Sequence, residues 1–342
     1  MSDKKSGCLA LGLFLALCAS LLVNVGLFST KIGNSITHSA LKANIKSELP
    51  TFEEDVVEPA TNGSGDRIAV IELKGIISSS SPGQLTGSMV DDAKVALRQA
   101  VDDESVRAIV LHIDSPGGEV TASDVIYNEV AAARKKKKVV IYMGSVAASG
   151  GYYIACGGDY LMANDTTITG SIGVIMHTLK YKDLFGKIGV ESIVFKSGQF
   201  KDILSGSRDM TDAERAYIQA MVMQTYDKFV GIVASERKID EAYLRTNIAD
   251  GRIISGKDAV GMKLINATGY IEDAFKKARE LGNSPNAAVV EYKAKFHIGN
   301  LFRSFSTSES IANKKVEVSL GDNVLTRLEN GRLYLLPSYY AQ

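Results

Sequence analysis

The sequence predicts an α/β domain with parallel strand pairing, set behind an apolar N-terminal segment. Buried-type strands at Ile68–Ile77 (IAVIELKGII), Ala108–Asp114 (AIVLHID) and Lys138–Gly144 (KVVIYMG) alternate with helix-like segments around Met89–Val101 and Ser123–Ala133. Strands separated by helices pair in parallel, because each crossover returns over the sheet. Ahead of them, Cys8–Phe28 runs for 21 residues without a charge, long enough to span a bilayer as a helix.

Composition bounds what the domain does. At 342 residues, 45% hydrophobic and 23% charged, the chain can bury a sizeable core in one or two domains. A formal net charge of zero supplies no electrostatic footprint for a nucleic acid. Three cysteines exclude a disulfide framework, and the four histidines (His38, His112, His177, His297) are scattered without metal-ligand spacing.

Taken in order, the chain opens with Lys4 and Lys5 before the apolar stretch. No small-x-small cleavage site follows Phe28, and Leu17 stands before Cys18 where a lipoprotein signal requires a small residue. An uncleaved anchor is expected, with residues 1–30 forming a cytoplasmic tip and transmembrane helix. The positive charges of Lys4 and Lys5 favour an inside N-terminus, against which Lys31, Lys42 and Lys46 weaken the bias. Residues 31–66 are polar and aperiodic and read as a tether. The domain is expected over 67–282, followed by a C-terminal extension, 283–342. The basic run Ala133–Lys138 between a helix and a strand reads as a solvated connection.

Two strand ends carry the chemistry. After Val139–Gly144 comes GSVAASGGYYIACGG (Gly144–Gly158), which reads as a strand-to-helix turn with Ser149 at the helix start. A hydroxyl there meets free backbone N–H groups suited to a developing oxyanion. After Ala108–Asp114 comes SPGG (Ser115–Gly118), whose glycines admit positive φ and close backbone approach. Gly118 and Gly150 N–H groups form a plausible oxyanion pair from neighbouring strand ends.

A serine nucleophile needs a base. The Ser, acid, His order expected around a hydrolase elbow is absent, since His177 follows Ser149 too closely and His297 lies in an ordinary AKFHIGN context. A lysine kept uncharged by burial is the other route. Lys201, in FKSGQFKDILSGSRDMT (Phe195–Thr211), is flanked by Phe200, Ile203 and Leu204. TDAE (Thr211–Glu214) is a capping box, and Ile218, Met221, Val222, Thr225, Phe229, Ile232 and Val233 continue at helical spacing as a core or oligomer stripe. GRIISGKD (Gly251–Asp258) nearly matches a phosphate-binding loop, but Asp258 replaces the hydroxyl residue and repels phosphate.

These pieces together resemble the signal peptide peptidase A family of membrane-anchored serine–lysine proteases. The matching segments are DSPGG (Asp114–Gly118), AASGGYYIA (Ala147–Ala155), TGSIGV (Thr169–Val174), SGQFKD (Ser197–Asp202) and ADGRIISGKDAVGMKLIN (Ala249–Asn266), in family order over roughly 67–281. Ser149 and Lys201 are 52 residues apart, as in short single-repeat members. Asp114 stands where the related motif often has Asn, and Gly206 interrupts the segment after the lysine.

The resemblance implies a Clp protease/crotonase-like spiral of ββα units. It implies Ser149 as nucleophile, Lys201 as general base, Ser171 as the serine that orients the lysine, and Gly118 and Gly150 as oxyanion donors, with no metal or organic cofactor. It implies a homo-oligomer in which the lysine is commonly supplied to a neighbouring subunit's serine. It also implies a single-pass protein of the bacterial inner membrane, its catalytic domain on the periplasmic side, acting on signal peptide remnants and other extended apolar polypeptides. The rivals are a catalytically inactive membrane scaffold and an acyl-CoA enzyme of crotonase type.

Overall fold

A computed structural model describes residues 51–79, 88–294 and 333–335. The described elements form two sheets, of nine and three strands. The larger contains β1 (Phe52–Glu58), β2 (Arg67–Lys74), β3 (Val106–Ser115), β5 (Lys138–Ala148), β6 (Tyr160–Ala163), β7 (Ile168–Gly170), β9 (Ile253–Ser255), β10 (Ala267–Thr268) and β11 (Ala288–Ala294). Its main path runs β1-β11-β2-β3-β5-β6-β10, with β7 branching from β5 and β9 from β7. The pairings from β11 through β10 are parallel, whereas β1 pairs antiparallel with β11 and β9 with β7. The smaller sheet joins β4 (Gly118–Glu119), β12 (Leu333–Leu335) and β8 (Ile175–Met176) in the order β4-β12-β8.

The central strands β2, β3 and β5 are largely apolar because both faces of the sheet are covered there. Alternation sorts them. Ala69, Ile71 and Leu73 of β2, Ile109, Leu111 and Ile113 of β3, and Val139, Ile141 and Met143 of β5 face the larger core. It also takes side chains of α1 (Met89–Asp102), α2 (Val120–Arg134) and α3 (Gly150–Ala155). The intervening residues, among them Ile68, Val70, Ala108, Val110 and Val140, meet Ala274, Phe275 and Ala278 of α8 (Ile271–Leu281) on the other face. In α2 the buried Ala122, Ile126, Val130 and Ala133 recur at helical spacing.

The sheet reaches beyond the span 67–282 at both ends. Phe52–Glu58, placed in the tether by its polar composition, is a strand whose register pairs it with Ala288–Ala294, from the extension. Its run of acidic residues, Glu53–Asp55, betrays nothing of a core because it is an edge strand whose side chains are mostly exposed. Strand β5 likewise continues past Gly144 to Ala148. It does so through an irregularity opposite Ile113–Ser115, where the Asp114 carboxylate accepts the Val146 N–H at 3.0 Å. The basic run is also more than a solvated link. Lys137 Nζ donates to Ala100 O at 2.7 Å and to Asp103 O, closing the end of α1, while Arg134 grips Glu236 at 2.8 and 3.0 Å.

Among the described residues no helix is long and apolar enough to cross a membrane. The apolar stretch Cys8–Phe28 lies outside them.

Tyr152 is fully buried, and its hydroxyl donates to Leu264 O at 2.9 Å. Tyr152→Phe leaves that buried carbonyl short of a partner at a cost of about 1–2 kcal/mol. Scanning calorimetry is expected to show Tm lower by about 2–8 °C.

Candidate active site

Ser149 ends β5 and begins α3 with φ 52° and ψ −112°, a conformation an L-residue with a Cβ rarely adopts. Neighbouring backbone holds it there. Ser149 N–H donates to Gly170 O at 2.8 Å, and Ser149 C=O accepts Tyr153 N–H at 2.8 Å. The β5–β7 register sets Ala148 against Gly170, so the chain must reverse immediately beyond a fixed pair. Strain of this kind at a strand-to-helix turn accompanies a serine presented for chemistry. Ser149 is wholly buried, and among the described residues its Oγ has no hydrogen-bond partner.

Two glycine backbones press against the turn. A Cβ on Gly150 would lie 2.5 Å from Ser123 Oγ and 3.2 Å from both Gly117 Cα and Gly118 N. Gly117 has φ +106°, and a Cβ there would stand 2.7 Å from Gly150 N. Only glycine permits these strand ends to approach so closely. Gly118 N and Gly150 thus stand side by side next to Ser149, the arrangement expected of an oxyanion pair.

Ser171 lies one residue beyond Gly170, as Ser149 lies one residue beyond Ala148, so the register brings the two serines to adjacent strand ends. Ser171 is 2% exposed, also has positive φ (50°), and is pinned through its N–H to Arg252 O at 2.8 Å.

Lys201 stands apart. It lies between α4 (Lys182–Lys187) and α5 (Asp212–Arg237), exposed rather than buried, with its ammonium outside any ion pair among the described residues. The expected apolar flank is present but faces solvent: Phe200 is 42% and Phe195 96% exposed. The loop is nevertheless fixed. Arg208 donates to Asp202 at 2.6 and 2.8 Å and to Glu214 at 2.9 Å, and Lys196 reaches Asp202 at 2.7 Å. The Arg208 guanidinium, with the Thr211 N–H, lowers the Glu214 pKa to about 2; with the Lys196 ammonium, it holds Asp202 far below the usual carboxylate range. The capping box at Thr211 and Glu214 forms as expected. Beyond it α5 buries only Glu214, Phe229, Val230 and Val233, leaving much of the apolar stripe uncovered.

His112 faces Glu72 at 3.4 Å, burial pulls its pKa down, and neither it nor His177 bonds Ser149 Oγ. Burial pushes the Cys156 thiol up to about 12. Among the described residues no His, Cys, Asp and Glu cluster suits a metal ion. In the segment resembling a phosphate loop, Gly256 N–H is committed to Thr167 O and Ser255 caps α7 (Gly256–Gly261).

Comparison with known proteins fits this geometry. Residues 131–284 match the model for peptidase family S49, and residues 84–168 match that for Clp protease. A Methanocaldococcus jannaschii protein provisionally named a protease is 38% identical over 234 residues, 68% of this chain and 74% of its own length. An Enterococcus faecium protein provisionally named signal peptide peptidase SppA is 36% identical over 245 residues, 70% of each chain. The chain belongs to peptidase family S49. Protease 4 of Salmonella typhi is also similar, 37% identical over 221 residues, which are 64% of this chain and 35% of that longer protein. The S49 protein is thus a serine protease with a Clp protease-like α/β fold and a mixed sheet.

The sequence named Ser149, Ser171, Gly118 and Gly150, which the fold brings together, and Lys201, which one chain leaves apart. It missed β12, lying against Gly118, since LYL (Leu333–Leu335) carries no motif.

Glycine adopts the Ser149 dihedrals without penalty whereas alanine does not. Ser149→Gly is expected to exceed Ser149→Ala in stability by about 1 kcal/mol in urea unfolding. Acid acts on the Lys201 loop. The Glu214 pKa is lower folded than unfolded, so its contribution is present above pH 4.5 and disappears as pH falls toward 2. Hydrogen exchange is expected to show residues 196–214 losing protection in that window before the sheet does. Arg208→Ala should produce the same loosening at neutral pH.

Proposed function

We propose that Ser149 is the nucleophile of a serine–lysine endopeptidase and that Lys201 reaches it from a neighbouring copy of the chain. One observation carries this: a strained, buried serine hydroxyl without a partner among the described residues, in a chain whose candidate base lies exposed on an apolar arm. The arm exposes Leu184, Ile193, Phe195 and Phe200, and α5 exposes Tyr217 and Met221, with the Phe200 and Tyr217 rings 5.4 Å apart; exposed apolar surface of this kind suits a protein–protein contact. Covering that surface with another copy would desolvate Lys201 and so favour its uncharged form.

In the assembled site, uncharged Lys201, oriented by Ser171, takes the Ser149 proton as Oγ attacks a peptide carbonyl. Gly118 and Gly150 N–H groups hold the oxyanion, and Lys201 returns the proton to the departing amine. Water activated by the same lysine then hydrolyses the acyl-enzyme, freeing Ser149. Residues 8–28 serve as a single-pass anchor in the bacterial inner membrane. The tether following the anchor ends where β1 begins, and the catalytic domain lies on the periplasmic side. Signal peptide remnants and other extended apolar polypeptides are the substrates.

Mixing inactive variants tests the shared dyad. Ser149→Ala and Lys201→Ala should each lower kcat on a synthetic signal peptide by at least about 10³-fold. Co-assembled from denatured subunits, the pair should regain activity, because some interfaces join an intact serine to an intact lysine. Mixtures as inactive as their parents, with assembly verified by light scattering, would exclude a base donated between chains.

A further inference from the structure

Strand β5 leaves its register with β3 just before the site. Ile113 pairs with Met143 and Ser115 with Ala147, so Gly144, Ser145 and Val146 of β5 stand opposite Asp114 alone. The excursion is where β5 changes partner on its other side. Residues 140–143 pair with β6, whereas residues 146–148 pair with β7, whose end leads to Ser171. Such an excursion takes backbone groups out of the ladder, and each then needs a partner elsewhere. Two side chains provide them. Asp114 Oδ1 accepts the Val146 N–H at 3.0 Å from the β3 side, and Thr167 Oγ1 donates to Gly144 O at 2.7 Å from the β7 side.

Gly144 leaves room for the carboxylate. A Cβ there would lie 3.2 Å from both Cβ and Cγ of Asp114 and 3.0 Å from His112 Nε2, so the Asp114 side chain reaches Val146 across a bare stretch of backbone. His112 does not compete for that N–H, and its Nδ1 faces Glu72 at 3.4 Å. What the carboxylate joins matters more than what it satisfies. Asp114 shortly precedes Gly117 and Gly118 at the end of β3, and Val146 shortly precedes Ser149 at the end of β5. One hydrogen bond therefore ties the strand presenting a candidate oxyanion glycine to the strand presenting the candidate nucleophile. The two ends are in close contact beyond it, since a Cβ on Gly151 would stand 2.9 Å from Ser115 O. We infer that Asp114 is a positioning residue of the proposed reaction, its carboxylate holding the β5 excursion so that Ser149 Oγ stays in register with the Gly118 N–H. The inference rests on Ser149 being the nucleophile.

Loss of the carboxylate need not unfold the corner. Ala147 and Ala148 remain buried, Thr169 Oγ1 still donates to Ala147 O at 2.7 Å, and Thr167 still holds Gly144 O. What disappears is the contact that refers the excursion to β3, so the serine turn drifts with β7 relative to the oxyanion glycines. A displacement of about 1 Å at a reacting group costs on the order of 10²-fold in rate. Alignment of Oγ with an oxyanion donor is used in the transition state and not in the bound peptide, so kcat carries the loss and KM does not.

The test uses the full-length chain, a quenched-fluorescence peptide, and two inhibitors made from the acyl side of that peptide, one ending in an aldehyde and one in the corresponding alcohol. Asp114→Ala is expected to lower kcat about 10²-fold at nearly unchanged KM, and Asp114→Asn, which keeps an acceptor oxygen for Val146, to recover most of that loss. The inhibitors separate positioning from stability. Only the aldehyde forms a bond to Ser149 Oγ, whose proton passes to the base while the carbonyl oxygen becomes the oxyanion facing Gly118 and Gly150. Asp114→Ala should therefore weaken the aldehyde about 10²-fold and leave the alcohol as it was. Gly144→Ala crowds the carboxylate without altering it and should shift the same ratio in the same direction, which carries the test if the Asp114→Ala protein does not fold. Equal weakening of both inhibitors, an unchanged ratio, or an Asp114→Asn protein as impaired as Asp114→Ala would overturn the inference. Ser149→Ala is the control for the reading beneath it and should erase the preference for the aldehyde. A preference surviving in Ser149→Ala would retire the nucleophile assignment, whereas one lost there and kept in Asp114→Ala would retire the positioning role alone.

Discussion

The site depends on one backbone constraint: the reversal at Ser149 that the β5–β7 pairing imposes. Ala148 is locked opposite Gly170, Ser149 N–H is taken by Gly170 O, and α3 must begin at the next residue. The chain has no unstrained path through that turn, so Ser149 takes positive φ. The same step brings Gly150 against Gly117 and Gly118, and it puts Ser171 at the neighbouring strand end. Much of the core can be read as supporting this corner. Tyr152 and Tyr153 fix the short helix from beneath through Leu264 O and Asp124, and the Asp114 carboxylate fills the irregularity that lets β5 run on to Ala148.

A second feature concerns the proposed base. Lys201 lies on an exposed loop with Phe195 and Phe200, while Ser149 Oγ makes no hydrogen bond among the described residues. Under the proposed sharing of the dyad, a neighbouring copy of the chain brings loop and serine into contact. The Arg208 clamp on Asp202 and Glu214 fits this scheme, since it stiffens a loop that has no core beneath it. A base delivered on a rigid loop requires less ordering at the moment of assembly.

Much of the fold was legible in the sequence because buried parallel strands are apolar throughout. Ile68–Leu73, Ala108–Ile113 and Val139–Met143 announce themselves without help from tertiary context. Strand β1 did not, because an edge strand with exposed side chains has the composition of a tether. The glycines and serines of the site were readable through their turns, and the capping box through Thr211 and Glu214. The exposure of Lys201 was not, because a sequence does not say whether apolar neighbours pack within the chain or against another. Nor did Leu333–Leu335 signal its place, since three apolar residues carry no period and their pairing depends on a distant edge.

The central claim, that Ser149 is a nucleophile activated by Lys201, is tested most directly by covalent labelling with a fluorophosphonate, read by mass spectrometry of the digested protein. The adduct should map to Ser149, and its rate of formation should collapse in the Lys201→Ala protein. Labelling at another residue, or an undiminished rate at Ser149 without Lys201, would contradict the account.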